Sequence, residues 1–211
     1  MNRLSKRLNV LASFVSKNDS LVDVGCDHGY LSIFLQENAL CKKVICSDIN
    51  ENALNSAIKN IKDSKLDIKY YLSDGLKDVP MEGINTVLIS GMGTSTIINI
   101  LNDKDKINNI NKIILQSNNN YEELRRYMNS IGYYLDKEEY VLDKKKWYVS
   151  MLFIKNNKRN TEKELKYGYI NKEYGLYLIN SFKEINMKIP KNNIDKIKYE
   201  KKIKELEAII K

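Results

Sequence analysis

Two short apolar segments are each followed by residues that can bind a small polar ligand. Residues 21–24 lead into a turn, 25–29, that contains two glycines, and residues 44–46 come just before Asp48. A helical pattern starts at Tyr30, and the first N–H groups of a helix are free to bind a ligand. A carboxylate at Asp48 can accept hydrogen bonds from two ribose hydroxyls. These residues therefore predict a cofactor that contains a nucleoside.

The segments that would position these residues alternate between strands and helices. Short apolar runs predict the strands, and the longer segments between them carry apolar residues at helical spacing. This alternation is typical of a parallel sheet with right-handed crossovers, so the predicted fold class is α/β with a Rossmann-like sheet. The predicted strands cover residues 21–24, 44–46, 68–72, 86–89 and 113–115. Two further β-rich runs, 132–142 and 147–154, predict a closing antiparallel hairpin.

Two more loops would lie at the same edge of this sheet. Asp74 and Gly75 follow the third predicted strand, and residues 90–93, Ser-Gly-Met-Gly, follow the fourth. A nicotinamide-binding turn needs Gly-x-Gly-x-x-Gly, whereas residues 23–29 read Asp-x-Gly-x-Asp-x-Gly, which fits a class I methyltransferase better. The cofactor of that class, S-adenosylmethionine, has an ammonium and a sulfonium but no pyrophosphate, so acidic residues would favour it.

In the class I pattern, carboxylates at or after the ends of three successive strands bind different parts of the cofactor. Asp23 would fix the first loop and reach the methionine ammonium, Asp48 would bind the ribose, and Asp74 would bind the adenine amino group. Gly25 would let the backbone approach the ligand closely. The complete predicted cofactor-binding set is Asp23, Gly25, Cys26, Asp27, Gly29, Asp48, Ile49, Asp74, Gly75 and Gly91.

With these positions assigned, the chain resembles the TrmK family of bacterial tRNA (adenine-N1)-methyltransferases, which act on position 22 in the D-arm. The resemblance rests on LSKRL at 4–8, DVGCDHGYL at 23–31, SD at 47–48, SDGL at 73–76, GMG at 91–93, LQSN at 115–118 and KWY at 146–148. It implies a methyltransferase domain over residues 1–155, a tRNA-binding helical domain over 156–211, S-adenosylmethionine as cofactor and tRNA as partner. Cys26, Thr94 and Ser117 depart from the family pattern, which has serine, glycine and proline there.

The implied reaction needs alignment more than activation. Adenine N1 has an in-plane lone pair that can attack a sulfonium methyl directly, so the enzyme must align the reactants and exclude water. Because N1 lies on the pairing edge, the base must be freed or flipped out. The loop over 90–93 differs from the Asn-Pro-Pro-Tyr loop used for exocyclic amino groups, which favours a ring nitrogen as the target.

Three residues beside the first loop are candidates for catalysis. Asp27 would steady the sulfonium or the cationic product, or it would cap the helix. His28, the only histidine, would act as a base or make a hydrogen bond within the loop. Tyr30 would stack on the adenine or pack against the protein. The sequence leaves these alternatives open.

Basic residues are expected to contact the RNA. The net charge of +8 lies mostly on residues 156–211, which suits a polyanionic partner or a solvated lysine-rich surface. Residues 161–188 and 191–210 predict two helices, broken near Pro190, that pair as an antiparallel coiled-coil hairpin. Its apolar seam would be Tyr199, Ile203, Leu206 and Ile210. The predicted RNA-contacting set is Arg3, Arg7, Met92, Gly93, Asn118, Lys144, Lys145, Lys146 and Trp147.

The composition argues against several other classes. Three cysteines and one histidine make neither a disulfide framework nor a zinc site, and no apolar run approaches the length of a membrane span. We therefore expect a cytoplasmic monomer that binds no metal and no membrane. The alternatives are a methyltransferase for another RNA or a small molecule, a nicotinamide enzyme, and a non-catalytic RNA-binding module on a methyltransferase scaffold.

Overall fold

A seven-stranded sheet forms the centre of the first of two structural units. The computed structural model describes residues 4–190 and 193–211, and the chain divides into the units Met1–Gly168 and Tyr169–Lys211. The strands are β1 (Ser20–Val24), β2 (Lys43–Asp48), β3 (Lys69–Leu72), β4 (Thr86–Met92), β5 (Lys112–Ser117), β6 (Tyr133–Asp143) and β7 (Lys146–Lys155). Their order is β3-β2-β1-β4-β5-β7-β6, and β7 runs antiparallel to both neighbours. The predicted Rossmann-like methyltransferase sheet with its closing hairpin is confirmed.

Burial explains the composition of the strands. β1 is buried along its whole length and β5 is buried after its first residue, and each has an apolar centre, residues 21–22 in β1 and 113–115 in β5. β3 lies at one edge of the sheet and is mostly exposed. The helices of this unit are α1 (Lys6–Ser13), α2 (Tyr30–Glu37), α3 (Glu51–Ser64), α4 (Thr94–Leu101), α5 (Lys104–Ile107), α6 (Tyr121–Ser130) and α7 (Glu162–Tyr167).

A buried ion pair links α6, the sheet and α7. Arg125 on α6 contacts Glu138 on β6 at 2.7 Å, and both side chains are almost completely buried. The Arg125 guanidinium also donates to two backbone carbonyls of α7 at 3.4 Å. Gly168, with φ of 67°, follows α7 and ends it. The predicted helix over 161–188 is therefore two helices, and the two units divide after Gly168 rather than after residue 155.

The second unit is a pair of helices, α8 (Lys172–Lys188) and α9 (Ile194–Ile209). The start of α8 lies against the end of α9, because a Cβ added at Gly175 would overlap Ile210. Further along, the rings of Phe182 and Tyr199 are 5.5 Å apart, so the helices run antiparallel. The predicted apolar seam lies at this contact, and its two central residues, Ile203 and Leu206, are buried. None of the helices described here is both long and apolar enough to cross a membrane.

Candidate active site

The turn between β1 and α2 is a loop fixed to the neighbouring strand. The N–H groups of Gly25 and Cys26 both donate to the Ser47 carbonyl, at 2.8 and 3.0 Å. Gly25 and Gly29 have φ values of 72° and 71°, which only glycine adopts without steric cost. The Ile33 N–H donates to the Gly29 carbonyl, so the N–H groups that precede it at the start of α2 can bind a ligand, as predicted.

Asp48 connects the end of β2 to this loop. Its Oδ2 accepts a hydrogen bond from the Asp27 N–H at 3.0 Å, and its Oδ1 accepts one from the Asn50 N–H at 2.9 Å. Asn50 caps α3 by accepting from two N–H groups of the first turn. Each carboxylate oxygen has a further lone pair, so Asp48 can still accept hydrogen bonds from two hydroxyls.

Asp23 lies beneath the loop and is almost completely buried. Its carboxylate accepts a hydrogen bond from Ser32 Oγ at 2.7 Å. Burial raises the pKa of Asp23 to about 6, the bond from Ser32 opposes this rise, and the negative charge of Asp48 adds to it. A cation bound next to Asp23 would favour the ionised carboxylate, so the site suits a ligand with an ammonium group.

Asp27, His28 and Tyr30 form an exposed group at the mouth of the loop. His28 Nε2 lies 3.6 Å from Asp27 Oδ1, and the His28 and Tyr30 rings stack with 5.5 Å between their centroids. The His28 carbonyl accepts a hydrogen bond from Asn60 Nδ2 at 2.9 Å, which fixes the backbone here. Because 44% of the Tyr30 surface is exposed, its ring is accessible to a planar ligand.

A cavity of about 480 Å³ brings together residues from the ends of three strands and from α1. The catalytic candidates at the mouth line it, and so do six predicted cofactor residues, Asp23, Gly25, Cys26, Asp27, Asp48 and Gly91. Gly29 has a different role, because a Cβ there would lie 3.2 Å from Ala57 Cβ. Its small size therefore allows the loop to pack on α3.

The remaining predicted cofactor residues lie outside the walls of this cavity. The Asp74 carboxylate is half-exposed and pairs with Lys77. Ile49 exposes 68% of its surface, which leaves a large apolar side chain at the sheet edge. Gly75 has φ of 64°, and a Cβ there would lie 2.9 Å from Ile100. Contact of Ile49, Asp74 and Gly75 with an adenine ring stays a prediction.

The loop after β4 is held by the end of β5. Asn118 Nδ2 donates to the Gly91 carbonyl at 2.7 Å, and the Asn118 N–H donates to the Met92 carbonyl at 2.9 Å. Asn118 therefore does not cap the next helix, which has Asn120 at its N-cap. Met92 reaches across to the first loop, because a Cβ added at Gly25 would overlap Met92 Cε.

Two of the three departures from the TrmK pattern contact each other. Thr94 Oγ1 and Ser117 Oγ are 2.8 Å apart and buried, and they lie 2.6 and 2.9 Å from the Asn119 carbonyl. The third departure, Cys26, is a buried free thiol. Hydrogen bonding to Cys46 and burial raise the pKa of Cys26, so its thiol stays neutral and unreactive.

The hairpin tip carries four of the predicted RNA-contacting residues. Lys144 and Lys145 have φ values of 48° and 66°, in a turn where asparagine and glycine are usual. Lys146 Nζ lies 5.1 Å from the centre of the Tyr148 ring, and Trp147 is half-buried. Contact of these residues with RNA stays a prediction.

Arg7 on α1 is held by side chains whose roles the sequence analysis missed. Its Nη1 donates to Gln116 Oε1 at 3.2 Å, and its guanidinium lies 5.5 Å from the centre of the Tyr148 ring. Gln116 is completely buried, and its Nε2 donates to Ser150 Oγ at 2.7 Å. No sequence spacing signals this cluster, because α1, β5 and β7 are distant along the chain. Arg3, the other predicted contact near α1, lies outside the described residues.

Comparison with known proteins places the chain in a family. The methyltransferase-domain family matches residues 4–151. MG248 of Mycoplasma genitalium, a provisionally named tRNA methyltransferase, is 33% identical over 74% of this chain and 72% of its own. The structure of M. capricolum TrmK with S-adenosyl-homocysteine is 32% identical, covers 99% of both chains and has a TM-score of 0.85. The chain belongs to the TrmK family.

Membership in TrmK confirms the resemblance that the sequence motifs indicated. The tRNA (adenine(22)-N(1))-methyltransferase of Bacillus subtilis is 30% identical over 66% of this chain and 57% of its own. The match to M. capricolum TrmK extends over both structural units, so the helical pair belongs to the family architecture as well.

Proposed function

We propose that the protein transfers the methyl group of S-adenosylmethionine to N1 of adenosine 22 in the D-arm of tRNA. The observation that carries this proposal is the convergence of Asp23, Gly25, Asp27 and Asp48 on one cavity in a TrmK chain. The B. subtilis relative is named for this reaction, and the M. capricolum relative binds the product of the same cofactor.

The cavity residues fit S-adenosylmethionine. The ionised Asp23 carboxylate suits the ammonium of the methionine part, and the remaining lone pairs of Asp48 suit two ribose hydroxyls. Gly25 has no Cβ, and the end of the flexible Met92 side chain fills the space beside it, so a ligand would approach the Gly25 backbone by displacing Met92 Cε. When bound, the cofactor supplies a methyl group on a positively charged sulfur.

Tyr30 and Asp27 would receive the target base. The Tyr30 ring can stack on adenine, and His28 supports that ring by stacking on it. The adenine N1 lone pair needs no base before attack, so the main tasks are alignment and exclusion of water. Methylation leaves the adenine ring positively charged, and the exposed Asp27 carboxylate at the same mouth favours that charge.

Basic surfaces would hold the RNA backbone. Residues 156–211 carry most of the net positive charge, and we propose that this part of the chain, which includes the helical unit Tyr169–Lys211, binds tRNA. Met92, Gly93 and Asn118 would contact the nucleotide at the sheet edge. A cytoplasmic location and a monomeric state stay predictions. Among residues 4–190 and 193–211, no group of three His, Cys, Asp or Glu residues could hold a metal ion.

The test is methylation of a complete tRNA by the full chain with isotope-labelled S-adenosylmethionine. Nucleoside digestion and mass spectrometry identify the modified base, and a primer-extension stop gives its position. 1-Methyladenosine at position 22 supports the proposal. N6-methyladenosine, or 1-methyladenosine elsewhere, contradicts it. A small-molecule enzyme would leave tRNA unmethylated, and a non-catalytic module would bind tRNA with a steep salt dependence yet transfer nothing.

A further inference from the structure

A second and larger cavity opens beside the cofactor cavity. It has a volume of about 930 Å³ and is lined by α1, α2, α3 and the tip of the β6–β7 hairpin. The two cavities share Arg7, Leu8 and Tyr30 in their walls, so they meet at this point. In the proposed reaction, the cofactor and one flipped adenine would occupy the smaller cavity only. The larger one is within the size range of ligand sites, and the reaction described above gives it no occupant.

Arg7 occupies the junction in a fixed position. Gln116 accepts a hydrogen bond from its Nη1, the Tyr148 ring lies beneath its guanidinium, and Asp143 Oδ2 accepts from its backbone N–H at 3.2 Å. A guanidinium has five N–H donors, and the described part of the chain supplies an acceptor to one of them. The others can form the paired hydrogen bonds that suit a phosphate.

The residues that line the larger cavity differ in charge and polarity from the start of α2 to its end. Arg7 lies near the start of this helix, because Arg7 and Tyr30 line both cavities, and the hairpin tip contributes Asp143 and Lys144 to the larger one. Ile33 and Phe34 form an apolar surface further along, and Glu37 lies at the end of the helix. A nucleotide fits this order, with its phosphate at the basic end and its base against the apolar surface. The carboxylate end would repel a phosphate.

We propose that the larger cavity receives the nucleotide next to the methylated adenosine, and that Arg7 binds the phosphate that joins the two. This inference rests on the proposed function, because it needs an RNA whose target base lies in the cofactor cavity. A substrate held at two consecutive nucleotides is fixed in both position and direction. Arg7 and the larger cavity therefore help to align adenine N1 with the methyl group.

The test for the cavity uses complete tRNAs that carry one abasic residue, placed 5′ or 3′ of the target adenosine. On one of the two sides, kcat/KM of the wild-type chain should fall by about tenfold or more, because a stacked base is lost. Ile33→Trp, which fills the cavity, should lose a similar factor on intact tRNA and lose little more on the abasic tRNA. If the wild type loses less than about twofold in kcat/KM on both abasic tRNAs, the inference is overturned, and this result does not depend on whether Ile33→Trp folds.

The test for Arg7 uses a tRNA with one neutral methylphosphonate linkage beside the target adenosine. The wild type should lose about tenfold in kcat/KM on this RNA. Arg7→Met should show that loss on normal tRNA and no further loss on the modified RNA. Lys6→Met is the matched control, because exposed Lys6 neighbours Arg7 on α1 but lines neither cavity. Lys6→Met should lose as much kcat/KM on the methylphosphonate tRNA as the wild type does. If Arg7→Met also loses kcat/KM on that tRNA relative to normal tRNA, the assignment of the phosphate to Arg7 is overturned.

These outcomes separate the inference from the proposed function. If the wild type forms 1-methyladenosine at position 22 but tolerates abasic neighbours on both sides, the proposed function stands and the second nucleotide site falls. If the wild type methylates no tRNA, both fall. The affinity for S-adenosylmethionine, measured by calorimetry, should be unchanged in Ile33→Trp, because Ile33 lines the larger cavity only. Circular dichroism and thermal unfolding of Arg7→Met should match the wild type, which shows that this substitution does not act by unfolding the protein.

Discussion

Thr94 and Ser117 share a buried contact of 2.8 Å between their hydroxyl groups, although they lie 23 residues apart in sequence. This contact joins the start of α4 to the end of β5, next to the loop that forms one wall of the cofactor cavity. Two departures from the TrmK pattern are therefore in direct contact, and their hydroxyl groups hold the start of α4 to the end of β5.

The Thr94–Ser117 contact should appear as coupling in a double-mutant cycle. Thr94→Val and Ser117→Ala each remove a buried hydroxyl, and each should lower the free energy of unfolding by roughly 1 kcal/mol. Because the two changes remove the same hydrogen bond, their combination should cost less than the sum by about 0.5 kcal/mol or more. Urea denaturation measures all four proteins, and additive losses would show that the hydroxyls act independently.

Binding of S-adenosylmethionine should strengthen as the pH rises through about 6, the raised pKa of Asp23. Below that pH the free protein holds a proton on Asp23, and the cofactor ammonium must displace it. Calorimetry between about pH 5 and pH 8 should therefore show a falling Kd, with proton release near the pKa. Asp23→Asn should bind weakly at every pH without this slope. A slope that survives in Asp23→Asn would assign the proton to another group.

The same pKa has the opposite effect on the stability of the free protein. A buried carboxyl whose pKa is raised is more stable protonated, so its favourable contribution is complete below the ordinary value of 3.8. That contribution is lost as the pH rises through about 6. Bound cofactor should offset this loss, which thermal unfolding with and without S-adenosylmethionine would detect.

Tyr30→Ala should lower kcat/KM for tRNA by about tenfold or more, because the stacking surface for the target adenine is lost. Tyr30→Phe keeps the ring and should retain most of the activity. The Kd for S-adenosylmethionine should change little in either variant. Equal losses in Tyr30→Phe and Tyr30→Ala would point to the hydroxyl group rather than to stacking.

Arg125→Met should destabilise the protein by roughly 3–5 kcal/mol, because the buried Glu138 carboxylate would lose its positively charged partner. Arg126 on the same helix is the matched control, since it is partly exposed and pairs with Glu122 and Glu162 at the surface. Arg126→Met should cost about 1 kcal/mol or less. Similar losses of unfolding free energy in both variants would contradict the structural role of the buried pair.

The sequence was sufficient for the sheet and for several residues that line the cavity at its edge. Buried parallel strands appear as short apolar runs whose ends lie at one edge of the sheet, so Asp23, near the end of β1, and Asp48, at the end of β2, could be placed together. The helical pair was also recognisable, because Ile203 and Leu206 belong to a regular apolar seam.

The sequence was insufficient where distant charged or polar residues are buried together. Arg125 and Glu138 look like surface residues in the sequence, and their burial holds α7 on the sheet and moves the unit boundary to Gly168. Arg7 and Gln116 meet only because α1 lies against the hairpin and β5. Local patterns report periodicity and turns, whereas these contacts depend on tertiary packing.

The most direct measurement of the central claim is the affinity of Asp48→Ala for S-adenosylmethionine, by calorimetry, beside wild type and Asp67→Ala. Asp67 is an exposed carboxylate outside the cavity walls, so its loss controls for net charge. The Kd of Asp48→Ala should rise by about tenfold or more, since two hydrogen bonds to a charged group are removed, and Asp67→Ala should match wild type. An Asp48→Ala protein that is folded and binds with wild-type affinity would contradict the assignment of this cavity to the cofactor.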